Sequence, residues 1–72
     1  MDKNQLYHRL IELGAEFITK HPNGDYTAFR NLPLGLGFIN IYFELERYWF
    51  VEINWEVSNQ RIPNEAEILT KL

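Results

Sequence analysis

The stretch that decides the fold is residues 38–57, which read FINIYFELERYWFVEINWEV. With one exception, Arg47, the odd-numbered positions are apolar: Ile39, Ile41, Phe43, Leu45, Trp49, Val51, Ile53, Trp55 and Val57. The even-numbered positions hold the remaining aromatics with acids and amides: Phe38, Asn40, Tyr42, Glu44, Glu46, Tyr48, Phe50, Glu52, Asn54 and Glu56. Because successive side chains of a strand point to opposite faces, the alternation predicts a β-hairpin with one apolar face.

The loop of this hairpin must keep the odd-numbered residues of both strands on one face. It does so if it has an odd number of residues, or if the hairpin contains a β-bulge. We predict the first arrangement, in which Leu45 pairs with Trp49 across residues 46–48. The same register places Tyr42 opposite Glu52 on the other face.

The first segment is predicted to be an amphipathic helix. A capping box of Asp2 and Gln5 begins it, and Gly14 suits the left-handed position that ends it. Three leucines at helical spacing form its apolar stripe, namely Leu6, Leu10 and Leu13. This stripe is expected to lie on the sheet.

The sequence HPNGD at residues 21–25 predicts the turn of a first hairpin. Pro22 suits the first central position of a type I turn, and Gly24 can follow in the left-handed conformation, which together make a three-residue loop. This loop pairs Glu16 with Arg30, Phe17 with Phe29, Ile18 with Ala28, Thr19 with Thr27 and Lys20 with Tyr26.

Two further segments complete the predicted fold. The proline and glycines of residues 31–37 predict a connector, and Asn64 with Glu67 caps a short last helix. The fold class is therefore α+β: one domain over residues 1–72 in the order α-β-β-β-β-α, an antiparallel meander with both helices on one face. The predicted core comprises Leu10, Leu13, Ile41, Phe43, Trp49, Val51, Ile53, Trp55 and Ile68.

Composition limits the classes of function. The formal charge is −3, and the excess of acid lies in the second half of the chain, the reverse of the basic stripe of nucleic-acid binders. Cysteine is absent and no apolar run approaches the ~20 residues of a membrane span. We therefore expect a cytoplasmic protein with no membrane, nucleic-acid or cofactor binding.

No catalytic or metal-binding motif stands in the sequence. His8 and His21 are isolated from other ligand-type residues, so we predict no metal site. Glu44 and Glu52 would lie diagonally at roughly 7–8 Å, a spacing that some glycosidases use, but a flat sheet offers no cleft. An enzyme, such as a small hydrolase, is therefore only the third candidate.

The even-numbered face of the second hairpin is the predicted partner-binding surface. It carries aromatic anchors among acids: Phe38, Tyr42, Glu44, Tyr48, Phe50, Glu52 and Glu56. The function predicted from it is a small acidic protein-binding module, an inhibitor or accessory factor of the immunity or anti-defence type found in phages and bacteria. Mimicry of nucleic acid by the carboxylates is a variant of that function.

Two alternatives remain open. The first is a self-associating structural module that forms a homodimer through these aromatics, although a monomer is expected. The second is that a helix or the loop at residues 32–36 covers the even-numbered face, which would make its aromatics a second small core.

Overall fold

Two helices and four strands follow one another in the predicted order α-β-β-β-β-α. In this computed structural model residues 1–32, 34–55 and 64–72 are described, with only the backbone for 52–54. The elements are α1 Lys3–Leu13, β1 Phe17–Lys20, β2 Tyr26–Leu32, β3 Gly35–Glu44, β4 Arg47–Asn54 and α2 Glu65–Lys71. The strands form one antiparallel sheet in the order β1-β2-β3-β4, so the predicted meander is confirmed.

The core lies between the two helices and one face of the sheet, here called the helix face. Leu6 and Leu10 of α1 and Ile68 of α2 are fully buried. They pack against the strand residues Ile18, Tyr26, Ala28, Ile39 and Ile41. Full burial of one such aliphatic side chain contributes about 1.5–3 kcal/mol, which is a large share of the stability of a small domain.

Local capping chemistry sets the ends of α1 as predicted. The Gln5 amide donates to the Asp2 side chain at 2.8 Å, and the Asp2 amide donates to the Gln5 side chain at 3.0 Å. Gly14 ends the helix with φ at 76°, a conformation that glycine adopts without the steric cost of a Cβ. In α2 the predicted Asn64 cap is also present, accepting from the Glu67 amide.

The predicted turn and register of the first hairpin are also confirmed. The Gly24 amide donates to the His21 carbonyl at 3.0 Å, and Gly24 has φ of 94°. The ladder pairs Phe17 with Phe29, Ile18 with Ala28, Thr19 with Thr27 and Lys20 with Tyr26. It begins at Phe17, so the predicted Glu16–Arg30 pair lies just outside it.

The predicted connector at residues 31–37 is wrong, because β2 and β3 extend into it. Arg30 pairs with Gly37, and Leu32 pairs with Gly35. Arg30 is buried, and the glycine opposite leaves room on the helix face for its long side chain. Leu34 at the end of this hairpin is fully exposed, so its side chain does not cover the sheet.

The predicted loop of the β3–β4 hairpin is wrong as well. The turn has two residues, Leu45 and Glu46, with positive φ of 54° and 60°, as a type I′ turn requires. The strand residues that flank it pair as Glu44 with Arg47, Phe43 with Tyr48, Tyr42 with Trp49 and Ile41 with Phe50. The register then shifts, and Asn40 pairs with Glu52, which leaves Val51 as the extra residue of a β-bulge.

Together, the two-residue turn and the bulge place residues 48–51 on the faces opposite to those predicted. Tyr48 and Phe50, predicted on the binding face, lie on the helix face, where Tyr48 is buried and Phe50 packs against the core. Trp49 and Val51, predicted in the core, are 47% and 67% exposed. Beyond the bulge, Ile39 pairs with Ile53, so the odd-numbered residues of both strands again share a face, although the predicted register would have paired Ile53 with Ile41.

The other residues of the predicted core also include both buried and exposed side chains. Leu10, Ile41 and Ile68 are fully buried as predicted, and Leu13 is half-buried against the core. Phe43 is 42% exposed, since it lies towards the turn, where its ring packs on Tyr48 with centroids 4.8 Å apart. The side chain of Ile53 lies outside the described residues.

Trp55 fulfils its predicted role as an anchor between sheet and helix. Its ring is half-buried against the core, and its indole Nε1 donates to the Leu13 carbonyl at 2.9 Å. The bond satisfies one of the carbonyls that the last turn of α1 leaves free. The end of α1 is thereby tied to the chain that follows β4.

Candidate binding face of the sheet

The sheet face opposite the helices, here called the open face, exposes several large apolar side chains. They are Phe17, Leu36, Tyr42, Trp49 and Val51, each between 41% and 67% exposed. Both described helices lie on the other face, and Leu34 in the hairpin at residues 32–36 is fully exposed, so its side chain does not pack on the open face. Exposure of several large apolar side chains on one face is typical of an interaction site.

One end of the open face carries a row of phenylalanines. Phe17, Phe29 and Phe38 pair in register across β1, β2 and β3, so their side chains share a face. Phe29 and Phe38 are half-buried, and Phe17 at the sheet edge is 41% exposed. These rings make this end of the open face apolar.

A polar row crosses the middle of the face. His21 Nε2 lies 2.7 Å from Thr27 Oγ1, and that hydroxyl donates to Asn40 Oδ1 at 3.3 Å. Which of the two groups donates depends on the tautomer of the imidazole. The three residues form a shallow concavity of about 350 Å³ together with Asp25 and Tyr42.

The first turn is fixed to β3 by one carboxylate. Asp25 Oδ1 accepts from the Phe43 amide at 3.0 Å, and Oδ2 accepts from Asn23 Nδ2 at 3.0 Å. The Asp25 amide in turn donates to Asn23 Oδ1 at 3.0 Å. A carboxylate held by two such bonds, on a backbone held by the third, keeps one orientation at the edge of the open face.

The other end of the face is built by Tyr42 and Trp49, which are direct cross-strand neighbours. The indole Nε1 of Trp49 donates to the Glu44 carbonyl at 3.1 Å, which fixes the ring beside the type I′ turn. Trp49, Tyr42 and Val51 line a second concavity of about 410 Å³, together with Asn23, Asp25, Phe43 and Glu44. The two concavities share Asn23, Asp25 and Tyr42, so they are adjacent.

The residues predicted to bind a partner divide among three places. Phe38, Tyr42 and Glu44 lie on the open face, as predicted, whereas Tyr48 and Phe50 are in the core. Glu52 is described only by its backbone, and Glu56 lies outside the described residues. The two exchanged residues follow from the two-residue turn, since a shift of one position moves a side chain to the opposite face.

The carboxylate pair that could have served a hydrolase is not formed. Glu44 pairs with Arg47, and Glu52 pairs with Asn40, four residues further along β3. Four residues correspond to about 13 Å along a strand, so the two glutamates are not diagonal neighbours.

Burial shifts the pKa of one phenol in the core. Burial raises the pKa of Tyr48 above its ordinary value of 10.0, and the neighbouring Tyr26 raises it further, while Lys20 lowers it. The rings of Tyr26 and Tyr48 lie 5.8 Å apart. The neutral phenol is therefore the form that the fold stabilises.

Sequence reasoning missed Trp49, Val51 and the hydrogen-bonded row of His21, Thr27 and Asn40. For Trp49 and Val51, the signal was that the alternation of residues 38–57 also allowed a hairpin with a β-bulge. For the polar row, the signal was the register of the first hairpin, which places Thr27 near the turn that His21 opens. Asn40 joins them only through the pairing of β2 with β3.

Comparison with known proteins finds no match: no protein-family model, curated protein or solved structure resembles the chain. Within residues 1–32, 34–55 and 64–72, no three His, Asp or Glu side chains are grouped so that they could hold a metal ion. Neither described helix has the length and apolarity needed to cross a membrane.

Proposed function

We propose that the protein is a small protein-binding module that acts as an inhibitor or accessory factor by docking a partner on its open face. The observation that carries the proposal is the exposure of Tyr42, Trp49 and Val51 side by side on the sheet face opposite both described helices. Tyrosine and tryptophan dominate the energetic centres of protein interfaces, because they bury a large area with few rotatable bonds.

The edges of the sheet favour the face over strand addition as the mode of binding. β1 has only four residues, and the bulge at Val51 interrupts β4. The backbone of Met1 also exchanges two hydrogen bonds with Tyr48, at 2.8 and 3.0 Å. Short, bulged or covered edges are the features that prevent pairing with another strand.

Charge on the open face indicates how the partner is selected. Asp25 and Glu44 border the aromatic pair, and charges at the rim of an interface mainly control association rate and specificity. Apolar anchors mainly control dissociation. A partner surface with basic groups around an apolar centre would complement this arrangement.

The proposal is tested by affinity capture from the source cells, with the wild type compared with Trp49→Ala and Tyr42→Ala. The matched control is Leu69→Ala, because Leu69 is a 64% exposed apolar residue of α2, away from the open face. We expect a protein that is retained by the wild type and the control and lost from both face variants. Circular dichroism must first show that all variants fold.

If captured proteins are retained equally by the wild type and both face variants, the open face is not the binding site. If the face variants instead convert a wild-type dimer into a monomer, the homodimer is the correct alternative. The loss of ~2 kcal/mol or more expected of an interface anchor makes these outcomes easy to separate.

A further inference from the structure

We propose that the concavity between Tyr42 and Trp49 recognises an arginine side chain of the partner. The inference rests on the proposed function and adds the chemistry of the group that is bound. Two aromatic residues, Tyr42 and Trp49, and two acidic residues, Asp25 and Glu44, line the concavity, and its volume is about 410 Å³. That volume is near the lower end of ligand pockets, which span roughly 300–1,000 Å³, and suits one side chain of a larger partner.

The charge of the concavity selects a cation. Asp25 and Glu44 line it, and none of its described lining residues is basic. The bonds from Phe43 and Asn23 occupy only part of the capacity of the Asp25 carboxylate, which has about four lone-pair sites. Arg47 lies opposite Glu44 in the ladder, but it does not line the concavity or form an ion pair with Glu44.

The aromatic walls favour a cation that is flat and weakly hydrated. Tyr42 and Trp49 are adjacent across β3 and β4, and the bond from Trp49 to the Glu44 carbonyl holds its ring in place. A guanidinium stacks on such rings and donates several hydrogen bonds in its own plane, whereas an ammonium is a compact, strongly hydrated charge. Arginine therefore fits both the walls and the carboxylates.

The test uses a small probe, N-acetyl-arginine amide, titrated into the ¹⁵N-labelled full chain and followed by NMR. We expect saturable shifts of the Trp49 indole and of the Asp25 and Tyr42 amides, with affinity in the range of ~1–10 mM for a single side chain. The Trp55 indole, which bonds to Leu13 on the helix side, serves as the internal control and should not move.

Two matched probes and three variants make the experiment specific. The neutral isostere N-acetyl-citrulline amide and the lysine analogue should each bind about fivefold or more weakly than the arginine probe. Glu44→Gln should weaken arginine binding about fivefold, whereas Glu12→Gln on the exposed side of α1 should leave it unchanged. Arg47→Gln should strengthen binding, because it removes a positive charge opposite Glu44.

Equal binding of the arginine and citrulline probes, or an unchanged Trp49 resonance, would overturn the inference. If the arginine probe does not bind while Trp49→Ala still abolishes partner capture, the arginine site is refuted and the proposed function is retained. If the probe binds but the face variants Trp49→Ala and Tyr42→Ala capture the same proteins as the wild type, the proposed function is refuted. Shifts of the same resonances on raising the protein concentration alone would identify the occupant as a second copy of the chain.

Discussion

Deletion of Val51 tests the bulge on which the open face depends. In the structure Phe50 pairs with Ile41 and Glu52 pairs with Asn40, so Val51 has no partner in the ladder. Phe50 and Glu52 already belong to opposite faces of the sheet, as consecutive residues of a strand do. Removing Val51 would therefore make the ladder continuous without moving any other side chain to a new face. We therefore expect the variant with one residue fewer to fold.

The expected cost follows from exposure. Val51 is 67% exposed, so about one third of its side chain is buried. Full burial of a valine is worth about 1.5–3 kcal/mol, which limits the loss on deletion to about 0.5–1 kcal/mol. For a domain of this size a change of about 1 kcal/mol lowers Tm by ~4–8 °C.

Urea and thermal denaturation followed by circular dichroism measure this cost. The control is deletion of Thr27, which lies in a part of β2 where the register with both neighbouring strands is continuous. Its removal would move the residues on one side of position 27 to the opposite face of the sheet. We expect the control to unfold, because it would take Tyr26 or Ala28 out of the core. A loss above ~3 kcal/mol on deletion of Val51 would refute the bulge, since it would mean that Val51 belongs to a continuous apolar face.

Three further predictions concern the turn, the phenol and the oligomeric state. Replacing Leu45 and Glu46 with Asn-Gly should raise the free energy of unfolding by ~1–2 kcal/mol, because both residues have positive φ; an unchanged or lower Tm would contradict the type I′ turn. Because the pKa of Tyr48 is raised above 10.0 in the folded state, the stability it contributes is present below pH 10.0 and is lost as the pH rises through the folded value. Denaturation along a pH series should show this fall in the wild type and a smaller one in Tyr48→Phe. Light scattering at micromolar concentration should give a monomer of 8.6 kDa, and a dimer that persists on dilution would favour self-association.

Local rules were sufficient where one short segment contained all the determinants. The capping box of Asp2 and Gln5, the left-handed Gly14 and the turn at residues 21–25 were each predicted correctly. In these places the decisive interactions join residues only a few positions apart, so the sequence shows both partners. The order of elements followed from them and from the alternation in residues 38–57.

Tertiary structure decided which residues of the last hairpin form the candidate binding face. The alternation fits a three-residue loop, but the chain adopts positive φ at two residues that are not glycine, a conformation costing about 1–2 kcal/mol for each. Contacts far from the turn offset that cost: Tyr48 packs in the core against Tyr26, and its backbone bonds to Met1. The bulge at Val51 then returns Ile53 to the same face as its partner Ile39.

The sequence by itself therefore determined the elements, their order and the existence of two distinct sheet faces. It did not determine which face receives residues 48 to 51. A three-residue loop, or a two-residue turn followed by a bulge, leaves Ile39 and Ile53 on the same face, and the two arrangements differ only in the residues between the turn and the bulge. The choice depends on packing of Tyr48 and Phe50 beneath the helices, which involves residues distant in sequence. That packing is also what leaves Trp49 beside Tyr42 on the open face.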